Sequence, residues 1–477
     1  MRSLRIGLLL CCVVAGHALA ADSAKKIAAI EGAVAPILVI KGENVASPTL
    51  LERMRQLHVT GVSIAVFSGG KIEWTKAYGY ADKERGILAG PDTLFQAGSI
   101  SKPVTALAAL QLADKGALDL DANVNDKLKS WHLPDNEFTV VHKVTVRNIL
   151  NHSAGTTVWG FPGYARTDKV PSLIDVLDGK GNTEAIRVWK EPGASWRYSG
   201  GGYIILQQLL IDVTGRSFPD LMQERVLKPL GMRHSTFEQP LPEKLRAQAA
   251  SGYNREGVKV SGDWHVYPEM AAAGLWTTAS DLARYALGVQ RAYAADGGIL
   301  SRKMTRVMLT PGMNNHGLGP VITADGKRFG HGGADEGFQA NLTAYLDTGS
   351  GIAVMTNSDN GSFLADELML SIAREYGWSG FTQIVKTTVQ LPQEVYQRLA
   401  GHYKIEGSPG EFDLTLKGDH FVAEGKGSPD RELLPESENQ FFVRDDGTPI
   451  VVSTEGGSTV LTIGGGLKAV KSPRQPN

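Results

Sequence analysis

Ser99 and Lys102 stand three residues apart in FQAGSISKPVTALAALQLADKG (Phe95 to Gly116), where an almost wholly apolar run begins. A serine hydroxyl is a weak nucleophile until a base takes its proton. A lysine three residues further along the first helical turn shares the serine's face and reaches its oxygen. Partial burial lowers a lysine's pKa, because desolvation penalises the charged form. Such a lysine can be neutral and serve as that base. The same spacing recurs at Ser23–Lys26, in a leader, and at Ser68–Lys71, in a Gly-Gly turn, where both lysines are expected to be solvated. Only Ser99–Lys102 opens an apolar helix. Taken alone, that distinction leaves catalysis and an ordinary helix start evenly balanced.

Other chemistries have less support. There is no complete Gly-x-Ser-x-Gly elbow. The eleven histidines are scattered, with no His-x-His or His-Glu-x-x-His pair, so no metal site and no cofactor are expected. The two cysteines, Cys11 and Cys12, fall in MRSLRIGLLLCCVVAGHALAAD. Arg2 and Arg5, the apolar run Ile6 to Ala15 and the small residues Ala18 and Ala20 form the pattern of a secretory signal peptide, residues 1–20, cleaved after Ala20. The run is shorter than the ~20 residues of a membrane span, and bulky leucines before Cys11 disfavour a lipoprotein signal. Cleavage removes both cysteines, which excludes disulfides and thiol catalysis. The product is expected to be periplasmic or secreted, with no stable membrane span. Lys and Arg total 49 against 50 Asp and Glu, so charge offers no argument for nucleic acid or an anionic membrane surface.

The elements that must position Ser99 can be read along the 477-residue chain, which is long enough for two domains. A leader (21–47) precedes a short amphipathic helix in LLERMRQLHV. Two β-type runs, Val62–Phe67 and Ile72–Tyr80, flank Gly69-Gly70, a hairpin pattern. Ser99 to Lys115 is apolar on all sides, as a central buried helix requires. VTVRNILNHSAG and GGYIILQQLLIDVTG read as helices closed by Gly155 and Gly215. Strand patterns return at FQANLTAYLD and GIAVMTN, before a helix in FLADELMLSIAREYG. The expected fold is α/β, an antiparallel sheet flanked by helices with an all-helical insertion, over residues 48–380. From about Gln390 to residue 477, short alternating runs punctuated by Gly and Asp predict a small antiparallel β-barrel.

The Ser99 segment resembles the first motif of the serine β-lactamase and penicillin-binding-protein superfamily, particularly its class C and esterase branch. TVRNILNHSAG and AAAGLWTTASDLARY resemble two further stretches of that branch, and the likeness runs from about residue 48 to 378. A second motif falls at RYSGGGY. The resemblance implies that Tyr198 contacts the nucleophile and serves as, or shares, the general base and then the general acid. A third falls at GHGGADEGF. There His331, Gly332 and Gly333 would border the substrate, and the Ala334 N–H would join that of Ser99 in an oxyanion hole. His331, when protonated, is a candidate carboxylate binder.

One position departs from the pattern. Relatives acting on β-lactams and peptides usually carry asparagine where this chain has Gly200, and its amide holds the substrate's amide. The missing anchor argues against efficient β-lactam or peptide turnover. The resemblance thus implies a cofactor-free, exported serine hydrolase forming an acyl-enzyme on Ser99, with small esters favoured as substrates. D-amino-acid peptides or amides come next, and slow β-lactam hydrolysis third. A non-catalytic protein that binds peptidoglycan or β-lactams would suit the missing asparagine, although it needs neither the nucleophile nor the proton carriers. WGFPGYARTD (Trp159 to Asp168) is a candidate rim of the cleft. The C-terminal barrel resembles lipocalin-like appendages of some such hydrolases. The oligomeric state is open.

Overall fold

The structure, a computed structural model, describes residues 21–43, 46–406, 410–425, 430–464 and 466–472. The signal sequence read at residues 1–20 lies outside them. The chain divides into two compact units: Thr49–Met369 with the described part of residues 1–32, and Ala33–Pro48 with the described residues from Leu370 onward.

In the first unit, α1 (Leu50–Gln56) starts at a capping box. The Thr49 N–H donates to the Glu52 carboxylate and the Glu52 N–H to the Thr49 hydroxyl, so two helix-end donors are satisfied. The expected hairpin follows as β1 (Gly61–Ser68) and β2 (Lys71–Asp82), joined by Gly69-Gly70 with φ of 57° and 80°. Positive φ at both turn residues matches the twist of the strands. A short β3 (Ile87–Leu88) and four late strands, β4 (Val321–Ile322), β5 (Arg328–Asp335), β6 (Phe338–Tyr345) and β7 (Gly351–Thr356), complete a seven-stranded sheet. Its order is β3-β2-β1-β7-β6-β5-β4, antiparallel at each pairing. The central strands β1 and β7 are buried almost throughout, which is why they read as continuous apolar runs rather than alternating ones.

Between the early and late strands lies the helical part. It contains α2 (Ser101–Asp114), α3 (Val146–Leu150), α4 (Gly200–Thr214), α5 (Met270–Ala273) and α6 (Ala279–Ala294). Helices α2, α4 and α5 contact one another, and α6 packs on β1 and β7. Two helices differ from the expected ranges. Ser99 lies on a 3₁₀ turn, Gly98–Ile100, before α2 begins. Helix α3 stops at Leu150, because His152 takes the left-handed conformation (φ 61°) two residues later. A long α7 (Gly361–Tyr376) carries the chain from the first unit into the second.

In the second unit, Leu38–Ile40 pairs in parallel with Ile384–Lys386. Eight antiparallel strands, from Gly401–Ile405 to Leu467–Lys471, close into the barrel read from the sequence. Its interior is filled by side chains including Tyr403, Phe421, Phe441 and Leu461.

Candidate active site

Ser99 stands on the 3₁₀ turn at the head of α2, half-buried. Its Oγ is 2.9 Å from the Lys102 Nζ, which also donates to the Ala272 carbonyl at 2.9 Å. Lys102 is only 2% exposed. Its aliphatic stem is enclosed by the helical core, so the amine emerges at a single point beside the serine. The Tyr198 ring lies 4.9 Å from Nζ and the Tyr203 ring 5.9 Å. Tyr198 immediately precedes Ser199, the N-cap of α4, and is half-buried with its ring stacked on His152 at 4.3 Å. Three distant segments therefore converge on Ser99.

The backbone beside the serine depends on two glycines. Gly98 has φ of 49°, and a Cβ there would meet the Ala334 N at 2.5 Å. A Cβ at Gly333 would collide with the Ala97 carbonyl and lie 3.2 Å from the Ser99 N. Their absence lets β5 approach the turn edge-on. The two-residue turn Glu336-Gly337 makes Asp335 and Phe338 a hydrogen-bonded pair, so Ala334, opposite Gln339, points its N–H away from β6. That is the side on which the Ser99 turn lies.

His331 is on β5 and 7% exposed. Burial, reinforced by the Lys102 charge, pushes its pKa down to about 3. Burial thus disfavours the imidazolium that the expected carboxylate-binding role would need. Gly332 is exposed, and a Cβ there would meet only the Ala340 carbonyl, at 4.0 Å.

Gly200, the departure from pattern, is packed against the expected rim. A Cβ there would lie 2.8 Å from the Phe161 ring and 3.2 Å from the Trp159 carbonyl. The Gly200 and Gly201 N–H groups donate to the carbonyls of Trp159 and Val158, and the Ser199 hydroxyl to those of Thr157 and Val158. The rim is thus tied to the first turn of α4, whose orphan donors it satisfies. Val158 is held at φ 61°, a conformation rarely tolerated by a β-branched residue. Beside it Trp159 projects outward, 69% exposed, with its ring 5.6 Å from that of Tyr198.

Sequence comparison agrees with this arrangement. Residues 48–374 match the Beta-lactamase family model. The chain belongs to the Beta-lactamase family. Among similar family members, penicillin-binding protein 4* of Bacillus subtilis (strain 168) is 24% identical over 428 residues, spanning 83% of this chain and 90% of that protein. Penicillin-binding protein 4 of Amycolatopsis lactamdurans is 26% identical over 371 residues, spanning 73% and 94%. The fold is shared with the octameric penicillin-binding protein homologue from Pyrococcus abyssi, with a TM-score of 0.61, 23% identity, and coverage of 88% of this chain and 98% of that one. It is also shared with the D-amino acid amidase from Ochrobactrum anthropi SV3 complexed with L-phenylalanine amide, with a TM-score of 0.58, 20% identity, and coverage of 74% and 99%. Beta-lactamase-fold proteins of this kind are serine hydrolases and penicillin-binding proteins.

The structure adds residues that sequence reasoning did not select. His152, from the quoted NHSAG stretch, stacks on Tyr198, and His316 lies 6.4 Å from the same ring. Asp335 and Glu269 are buried carboxyl groups whose pKa values burial raises. For Asp335 the nearby Gly98 N–H and the Lys102 side chain partly oppose that rise. Neither acid has a local sequence pattern that marks it.

Proposed function

We propose that the chain is an exported serine hydrolase that forms an acyl-enzyme on Ser99 and acts preferentially on esters. The observation that carries the chemistry is the 2.9 Å approach of Ser99 Oγ to a buried amine with Tyr198 alongside. Ser99 attacks the carbonyl carbon while Lys102 and Tyr198 take up its proton and return it to the leaving oxygen. The Ser99 and Ala334 N–H groups receive the oxyanion, each contributing roughly 3–4 kcal/mol. Water then cleaves the acyl-enzyme by the same groups in reverse.

Gly200 supports the ester preference. Phe161 and the Trp159 carbonyl crowd the space an amide-gripping side chain would start from at that position, and an ester needs none. The same packing gives the acyl side of the cleft an aromatic border, suited to apolar acyl groups. On this reading His331, Gly332 and Gly333 of β5 border the substrate as well. A second reading, hydrolysis of D-amino-acid amides or peptides, is favoured by the likeness to a D-amino acid amidase.

Rates on a short-chain aryl ester, a cephalosporin and a D-amino-acid amide, for mature wild type and Ser99→Ala, test the proposal. The expected result is fast ester cleavage, slow cleavage of the other two, and loss of all activity in the folded variant. Undiminished turnover by Ser99→Ala would sink the mechanism. Efficient cephalosporin or amide turnover would sink the ester preference.

A further inference from the structure

Catalysis as proposed leaves a group of buried histidines without a role. His152 follows α3, His316 follows the turn Met313–Asn315, and His331 lies on β5. A ring nitrogen from each lies within 4.8 Å of those of the other two. The residues are 2%, 6% and 7% exposed. In each ring Nδ1 is engaged by the main chain, while Nε2 is buried without a hydrogen-bond partner. Burying a polar nitrogen unpartnered costs free energy, and three such atoms in one place suggest a ligand that would satisfy them.

The hydrogen bonds at Nδ1 decide what each Nε2 can offer. His316 and His331 direct Nδ1 at the carbonyls of Asn314 (3.3 Å) and Gly332 (2.5 Å). A carbonyl only accepts, so the ring proton sits on Nδ1 and the Nε2 lone pair is free. This is the tautomer that metal-bound histidines hold through a main-chain partner. His152 differs. Its Nδ1 accepts the Ser199 N–H at 3.2 Å, so in the neutral ring Nε2 carries the proton and can only donate.

We propose that His316 and His331 bind a divalent transition-metal ion of the zinc type through Nε2, and that the His152 Nε2–H donates to a solvent ligand on that ion. Two neutral imidazoles and no carboxylate suit a borderline ion such as Zn²⁺ and not Ca²⁺ or Mg²⁺. Whenever Lys102 carries a proton its charge opposes a cation here, which holds the affinity to a modest value. The Tyr198 ring lies against this group, 4.3 Å from the His152 ring and 6.0 Å from that of His331. The ion would therefore adjoin the catalytic groups.

The test uses the mature protein stripped with EDTA. Co²⁺ is followed by visible absorption and Zn²⁺ by titration calorimetry. The expected result is one ion per chain, a Co²⁺ spectrum of nitrogen ligation displaced by Zn²⁺, and at least tenfold weaker binding in His316→Gln. Ca²⁺ and Mg²⁺ should not compete. Equal Zn²⁺ affinity in the folded variant would assign the ion to another site and overturn the proposal. The thermal midpoint of wild type alone gives a second reading, because an ion bound only to the folded state raises it. No Co²⁺ absorption together with no Zn²⁺-dependent shift would also overturn it.

Discussion

Lys102 contributes to the site through where its chain is buried. With 2% of the residue exposed, the amine has few positions open to it, and the one it takes is shared between Ser99 and the Ala272 carbonyl. Glu269 shows the cost of burial without such partners. Both its carboxyl oxygens lack a hydrogen bond, and desolvation pushes its pKa up to about 8. An unfolded glutamate titrates near 4.5. Between those values the folded state keeps a proton that the unfolded state has lost, so this residue makes the protein less stable as pH rises. The slope approaches about 1.4 kcal/mol per pH unit. Glu269→Gln removes that dependence. Urea unfolding at pH 5, 6 and 7 should show the variant gaining on wild type by roughly 1 kcal/mol or more per unit. A difference that does not change with pH would exclude this account.

At the level of elements, the site depends on the edge of β5 lying against the 3₁₀ turn of Ser99. Gly333 and Gly332 adjoin each other but face opposite sides of that strand, and they should respond differently to the same methyl group. In Gly333→Ala the Cβ runs into the Ala97 carbonyl, beside the Ser99 N–H. Turning the strand away would misplace the Ala334 donor, and the expected loss in kcat is about 10²-fold or more. In Gly332→Ala the Cβ meets no protein atom closer than 4.0 Å, so kcat should stay within about threefold of wild type, any cost from crowding the substrate falling on KM. Steady-state ester hydrolysis by the two folded variants decides the matter, and equal effects would count against the close approach. The rim Val158–Phe161 follows the same logic. Its carbonyls cap α4, and the Phe161 ring occupies the space next to Gly200.

The first unit is assembled from widely separated parts of the chain, with the β1–β2 hairpin joined to β7, β6 and β5. The buried Asn357 secures that junction, donating to the carbonyls of Tyr80, Ala81 and Ser251. Among the described residues no helix is long and apolar enough to cross a membrane. Export as proposed requires removal of residues 1–20. Intact-mass measurement of the chain recovered from the periplasm or medium should show a mature N-terminus at Ala21. Retention of Met1 in that material would refute signal cleavage.

The sequence by itself determined what is local. Ser99–Lys102 was legible because two residues three apart at a helix start share a face whatever the rest of the fold does. The hairpin at Gly69-Gly70, α4 closed by Gly215, and the barrel strands were legible for the same reason: turn chemistry and periodicity act over a few residues. Tertiary structure decided what depends on approach between distant segments. It placed Phe161 against Gly200, which explains physically why that position holds no side chain. It buried His331, which disfavours the charged ring that a carboxylate-binding role would need. It also brought together His152, His316 and His331, which in the sequence looked scattered and lacked any ligand spacing. Desolvation and ligand geometry depend on which atoms meet in space, and local spacing constrains neither.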